Sequence, residues 1–389
     1  MGPRIAIACS GLGNIRRGNE TWARDASAAL HRAGASVTLI GGGPEPEAAC
    51  PYVRLPNLHR EFPLLRRWWP WSRRYLLEQL SFLFPLRRYL RVHGFQAVHL
   101  CDPDLALQLH RRQGAHRIPI VFKDGMCLGP HWCSRIPFVQ VLAPHYRDVL
   151  AREAGVSTEG WFVIPHMVDP AEFVPPPDRA LPRAARPDLS LPPNAFVIMG
   201  VGDFSAGGNK RLDWLVRETA RLPAELNAHL VLAGQAAASD FAAFQQSART
   251  ALGDRVRLLR NLPRREVARL YQVADVYAHA ATREPFGIVF LEAMASGLPI
   301  LGHTWDVTRW IIGDAGIALD MTAPGALATH LEELARHPDR RADLGVVARR
   351  RVLARFSPDA LIPQYLELYR CMTGPNSFTP LASRSDPLP

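Results

Sequence analysis

Cysteine is sparse in this 389-residue chain, and its six copies (Cys9, Cys50, Cys101, Cys127, Cys133 and Cys371) follow no paired spacing. That argues against a disulfide framework, and free thiols are expected. Cys127-x3-His131-x-Cys133 gathers soft ligands but matches no standard zinc spacing and lacks a fourth ligand, so no metal site is expected there. No apolar run approaches the ~18 residues of a membrane span. The first residues enter a strand without the basic start and apolar stretch of a secretory signal. A cytoplasmic chain is expected, or one peripheral on the inner face of a membrane. Short repeats and low-complexity blocks are lacking as well. With 48% hydrophobic and 21% charged residues, the chain can bury a true core, which excludes a disordered or fibrous protein.

Acidic residues are outnumbered, 36 against 46 basic ones, giving a net charge of +10. Much of the excess is local: Arg54 to Arg91 holds nine arginines against Glu61 and Glu78. Arg66-Arg67-Trp68-Trp69-Pro70-Trp71-Ser72-Arg73-Arg74 interleaves cations with indoles as interfacial segments do. Each basic residue near anionic lipid contributes about 1 kcal/mol, so Arg66–Arg88 is a candidate contact for an anionic membrane surface. The alternative is a helix packed on a sheet with snorkelling arginines. Nucleic acid is not expected, because no recognition module surrounds the patch.

The length suits two or three domains at roughly 150 residues each. Residues 4–9 read as a buried strand, followed by Gly11, Gly13 and Gly18 and a helix from Asn19 to about Arg32. Strands follow at 37–40, 98–100 and 118–122, the last two flanking a helix from Asp104 to about Arg112. Seven prolines between Pro175 and Pro193 mark an extended linker. The βα alternation then restarts, with strands at 196–200, 230–233, 256–259 and 276–278. Its helices begin near Arg211, span Arg264 to Val273 and run from about Phe286 to Ser296. The expected fold class is α/β, two doubly wound domains facing a central cleft. Their expected bounds are 1–174, a linker at 175–193, and 194–357, followed by a helix at 358–374 and a loose tail at 375–389.

The chemistry concentrates in Arg283-Glu284-Pro285-Phe286-Gly287 through Gly297-Leu298-Pro299. Pro285 suits a first helical position, which places Glu284 at the helix mouth and Glu292 about 12 Å along the axis. Free amides at that mouth favour a diphosphate, and each carboxylate can accept two hydrogen bonds from a vicinal diol. Two such groups could hold the hexose and the ribose of a nucleotide sugar; the plainer alternative is a solvated amphipathic helix. The glycine loop from Gly200 to Arg211 lets backbone approach phosphate, and Lys210 can neutralise a leaving diphosphate, unless the loop is merely flexible surface. Cys101-Asp102-Pro103-Asp104 could read as a metal-binding Asp-x-Asp, but it precedes a helix, where Asp104 is expected as the N-cap.

The segment from Glu284 to Glu292 resembles the Glu-x7-Glu motif of retaining GT-B glycosyltransferases, specifically glycosyltransferase family four. The likeness extends to Ile164–Phe173, Arg264–Val276 and Pro358–Tyr369, the last resembling a closing helix that returns to the N-terminal domain. It implies a GT-B fold of two Rossmann-like domains, without metal or other cofactor. It also implies that Glu284 contacts the donor sugar, Glu292 the ribose and Lys210 the phosphates. Donor contacts are further implied at Gly13, Gly202, Phe286, Gly287 and Ile288. Where the family carries an arginine this chain has Asp203, which leaves Arg211 as the candidate second phosphate cation. Many members place a histidine near Lys123-Asp124-Gly125; here Asp124 is the candidate contact at the reacting carbon, with a polar turn as its alternative. The implied activity is retaining transfer from a UDP- or GDP-sugar to the hydroxyl of a sugar or lipid-linked acceptor, in cell-envelope polysaccharide or glycolipid synthesis. Competing readings are a GT-B epimerase or phosphorylase, and a catalytically inactive membrane-associated protein.

Overall fold

The computed structural model describes residues 2–15, 17–45, 48–112, 117–177, 186–205 and 207–374. The tail expected at 375–389 and the middle of the expected linker, 178–185, lie outside the described residues. The chain divides into one unit of residues 1–167 with 358–389, and a second of residues 168–357.

The first unit contains β1 (Ile5–Cys9), β2 (Val37–Gly41), β3 (Tyr52–Arg54), β4 (Ala97–Leu100), β5 (Ile120–Asp124), β6 (Phe138–Val141) and β7 (Trp161–Val163). They form one sheet in the order β3-β2-β1-β4-β5-β6-β7, every pair parallel. The residues of β1, β4 and β5 are all buried, which explains why these strands read as apolar runs rather than as alternating patterns; those of β6, a strand not expected from the sequence, are buried too. The helix Pro358–Thr373 belongs to this unit and buries Leu361, Tyr365, Leu368, Tyr369 and Met372 in its core. Trp22 Nε1 donates to the Tyr365 hydroxyl at 2.9 Å, and Gln140 Nε2 donates to the same oxygen at 3.0 Å.

The arginine-rich segment forms two helices, Pro63–Trp68 and Trp71–His93. The longer helix buries Tyr75, Glu78, Gln79, Phe82, Leu83, Leu86 and Leu90, and Gly94 ends it in the left-handed conformation (φ 63°). Its other face leaves Trp71, Leu76, Leu80 and Phe84 exposed, next to Leu64, Trp68 and Trp69 of the shorter helix and its exit. Beneath lies a buried ion network. The Arg60 guanidinium meets Glu78 at 2.9 Å and Glu20 at 3.2 Å, with the Tyr75 ring 4.2 Å from its central carbon. Among the described residues no helix is long and apolar enough to cross a membrane.

The second unit contains β8 (Phe196–Val201), β9 (Ala228–Gly234), β10 (Val256–Arg260), β11 (Val276–His279), β12 (Ile300–His303) and β13 (Gly316–Leu319). Again the sheet is wholly parallel, in the order β10-β9-β8-β11-β12-β13. The division falls after Met167, ahead of the boundary expected at 174. Val168 N donates to Phe356 O at 3.0 Å, and Arg349 donates to the carbonyls of Pro170 and Phe173, which ties residues 168–173 to the second unit. In both sheets the strand order reverses beside the first strand, at β1/β4 and at β8/β11. The carboxyl ends of such switch-point strands form the crevice where ligands bind in doubly wound sheets.

Tyr365→Phe removes the acceptor shared by Trp22 and Gln140 in a dry core and is expected to lower the stability of the first unit by about 1–3 kcal/mol. Urea denaturation followed by tryptophan fluorescence measures this; an unmoved midpoint would contradict it.

Candidate functional site

At the switch point of the second unit, the loop after β8 is held by close backbone contacts. Gly202 N donates to Ala233 O at 3.0 Å, and a Cβ on Gly202 would lie 2.6 Å from Lys210 Cβ. A Cβ on Gly234 would fall 1.6 Å from Gly202 O, so neither position accepts a side chain without moving the backbone or Lys210. Arg211 follows in the left-handed region (φ 49°). Its Nη1 donates to Ala280 O at 3.2 Å and Met321 O at 2.9 Å, and its guanidinium sits 4.6 Å over the Trp214 ring. Arg211 thus braces the loop after β8 against the segments following β11 and β13.

The segment after β11 carries Glu284, and Lys210 Nζ donates to Glu284 Oε2. His279, the last residue of β11, places Nε2 2.9 Å from the same oxygen, and the Tyr277 hydroxyl lies 3.3 Å from His279 Nδ1. A carboxylate only accepts hydrogen bonds, so His279 carries its proton on Nε2, and Nδ1 accepts from Tyr277. Burial pushes the Glu284 carboxyl up, but the His279 hydrogen bond and the Lys210 charge outweigh it and hold the pKa down to about 2. Burial also lowers the His279 pKa, against the pull of Glu284, which keeps the ring neutral.

The helix beyond spans Ile288–Ala295, with Gly287 (φ 83°) at its N-cap. This corrects the expectation that Pro285 opens the helix. Gly287 takes a left-handed turn, and a Cβ there would meet the Phe290 ring at 2.7 Å. Residues 284–287 thus form a loop, so Glu284 and Glu292 do not share one helix axis and the expected 12 Å spacing along it does not apply. Glu292 sits in the second turn, where the Tyr271 hydroxyl donates to its Oε2 at 3.0 Å. Tyr271, Tyr277, His279 and Phe290 form a continuous aromatic layer, with centroids 5.8 Å apart for Tyr271–Tyr277, 6.3 Å for Tyr277–Phe290 and 4.9 Å for His279–Phe290. That layer supports both carboxylates. Phe286 turns inward, its ring buried 6.3 Å from Phe356. Ile288 opens the helix and shares the amide-rich mouth with Gly287.

In the first unit, Gly13 (φ 84°) packs against Gly43, where a Cβ would lie 2.5 Å from the Gly43 carbonyl carbon. Asp102, not Asp104, is the N-cap of the helix Pro103–Arg111. Its carboxylate turns toward β1, accepting from Ser10 N at 2.6 Å and from the Tyr75 hydroxyl at 2.8 Å. Asp124 accepts from Met126 N at 3.1 Å, from Leu128 N at 3.1 Å and from the Cys133 thiol at 3.4 Å. Both its oxygens are engaged, and Asp124 organises a polar turn. Next to it the fully buried Lys123 donates to Asn19 Oδ1 at 2.8 Å and lies 5.0 Å over the Trp22 ring, its pKa lowered by burial to about 8. Lys123 and His279 do not stand out in the sequence as site residues. A charged residue within the apolar run of β5 and an imidazole closing a buried strand were the available signals.

Two all-parallel sheets of this order, each with polar loops at its switch point, define a GT-B-type architecture. Residues 195–337, which include Lys210, Glu284 and Glu292, match the family described as glycosyl transferases group 1. A D-inositol 3-phosphate glycosyltransferase of Kineococcus radiotolerans is 32% identical over 227 residues, covering 54% of this chain and 51% of the relative. The chain thus spans about half the length of the curated relatives it matches. Among solved structures, sucrose-phosphate synthase from Thermosynechococcus elongatus aligns with a TM-score of 0.78 at 22% identity, over 95% of this chain and 99% of that one. Anabaena HepE in complex with UDP-glucose aligns at 0.75 with 18% identity, over 94% and 98%. At these identities the structural likeness concerns the fold.

The site carries its own pH signature. Glu284 has a folded pKa below the ordinary carboxylate value of about 4.3, so its charge stabilises the fold fully above that value and progressively less as pH falls towards 2. The stability difference between the wild type and Glu284→Gln is therefore expected to shrink between pH 5 and pH 2. Denaturation midpoints across that window measure it, and a constant difference would contradict the assignment.

Proposed function

We propose that this protein is a retaining glycosyltransferase that moves a sugar from a nucleotide-sugar donor, a UDP- or GDP-sugar, to an acceptor hydroxyl. The observation that carries the reading is the buried, ionised Glu284 shared by Lys210 and His279 at a switch point, inside the span that matches glycosyl transferases group 1. A charged carboxylate in that setting accepts hydrogen bonds from sugar hydroxyls, and Glu292 in the next element does the same for the ribose. Gly202 lets the stem of Lys210 pack against the loop backbone, and the amides of Gly287 and Ile288 face the diphosphate at the helix mouth. HepE, solved with UDP-glucose, supports the donor class.

In the chemical step the acceptor oxygen bonds to the anomeric carbon on the face from which the diphosphate departs. The bond from carbon to phosphate oxygen breaks with its electron pair, and the leaving oxygen takes the acceptor proton. No enzyme-bound covalent intermediate forms. Lys210 and the helix-mouth amides stabilise the charge that develops on the diphosphate. A sugar or lipid-linked acceptor, and a role in cell-envelope polysaccharide or glycolipid synthesis, agree with the basic and aromatic face of the first unit. There Trp68 is 72% exposed beside Arg67, whose guanidinium sits 5.4 Å from its ring, and Phe84 is 76% exposed. An anionic bilayer suits a face that offers indoles and arginines together, and the inner membrane face is the proposed location.

A screen of nucleotide sugars for diphosphate release, with and without anionic vesicles, tests the reading. Lys210→Ala is expected to lower both transfer and donor hydrolysis by a factor on the order of 10² to 10³. Glu284→Ala is expected to reduce mainly turnover, and Glu292→Ala to weaken donor binding by about tenfold, equivalent to ~1.4 kcal/mol. Unchanged kinetics in both glutamate variants would overturn the site.

A further inference from the structure

Glu284 is held at one oxygen by two donors of unlike freedom. The Lys210 side chain is 29% exposed and stands on the glycine-lined loop after β8. It can turn towards a diphosphate without disturbing the core. His279 is 2% exposed, closes β11, meets the Phe290 ring edge-on at 4.9 Å and lies nearly parallel to Tyr277 (19°). It has no room to follow a ligand. Its tautomer is set from behind by the Tyr277 hydroxyl, and Tyr277 is itself fully buried on the same strand.

We propose that His279, oriented by Tyr277, is the fixed positioning residue that keeps the Glu284 carboxylate aimed at the donor sugar when Lys210 turns to the donor diphosphate. The inference rests on the glycosyltransferase reading and adds a division of labour to it. With donor bound, Lys210 exchanges part of its contact with Glu284 for phosphate oxygens. A carboxylate left buried without a donor at Oε2 would rotate or take up a proton, and either change removes an acceptor from the sugar hydroxyls. The Nε2–H of His279 supplies the constant hydrogen bond. Its contribution therefore falls on turnover of the sugar and spares affinity for the nucleotide.

The test compares His279→Leu, which keeps bulk and removes the donor, with His279→Gln, whose amide nitrogen reaches to about the place of Nε2. His279→Leu is expected to lower kcat at least tenfold while the Kd for UDP or GDP, by calorimetric titration, stays within twofold. His279→Gln is expected to regain most of the turnover. Wild-type kcat in His279→Leu would overturn the proposal, as would equal damage in both variants or parallel losses of kcat and nucleotide affinity. Should the variants fail to fold, 15N NMR of the histidine-labelled wild type and Lys210→Ala decides. The expected signature is an Nε2–H proton on the His279 ring, assigned by its proximity to Phe290 and protected from exchange with solvent at pH 7 in both proteins, and a His279 ring protonated on Nδ1 overturns it. A wild type that neither binds nucleoside diphosphates nor releases them from any nucleotide sugar defeats the glycosyltransferase reading instead, and the ring signature still reports whether His279 donates to Glu284.

Discussion

A carboxylate taken out of water must be met by donors or it neutralises itself, and the second unit is arranged around that requirement at Glu284. Lys210 reaches it because Gly202 and Gly234 let two loops touch where any side chain would collide. His279 reaches it because the buried end of β11 points there, and Tyr277 fixes which nitrogen carries the proton. Arg211 clamps the loop that carries Lys210 to the carbonyls of Ala280 and Met321. Removing one partner of such a buried charge typically costs about 3–5 kcal/mol, so these residues act as a set.

The first unit applies the same physics to a different end. Its buried charges, Arg60 with Glu20 and Glu78, join the start of the helix Gly18–Arg32 to the amphipathic helix Trp71–His93. A Cβ on Gly11 would lie 2.3 Å from Arg60 Nη2 and 2.5 Å from Glu20 Oε1, so the loop after β1 is shaped by this network as much as by its own glycines. Asp102 closes the switch point from the β4 side through Ser10 and Tyr75. The arginines that swell the positive charge thus divide into a buried structural member, Arg60, and exposed ones such as Arg66 on the outer face.

Much of this fold was legible because parallel strands buried on both faces leave apolar runs. Residues 5–9, 196–201 and 276–279 stand out for that reason, and the helix Arg264–Val273 shows in its apolar spacing and the proline before it. Short edge strands such as β3 and β13, at three and four residues, carry too little pattern to be seen. The candidate site was legible as residue types and not as geometry. Glu284, Glu292 and Lys210 announce themselves, but linear spacing cannot reveal that Gly287 breaks the path between the two glutamates. Neither can it show that Arg211 and Asp124 turn to backbone partners. His279 stayed hidden because its meaning comes from a hydrogen bond to a residue beyond its own strand.

Glu284 and Glu292 are proposed to grip the two sugar rings of one activated donor. The most direct measurement is a crystal structure of the protein with a non-hydrolysable nucleotide sugar. Hexose hydroxyls are expected within hydrogen-bond reach of Glu284, ribose hydroxyls at Glu292, and the diphosphate against Lys210 and the amides of Gly287 and Ile288. A ligand bound with neither carboxylate in contact would contradict this arrangement.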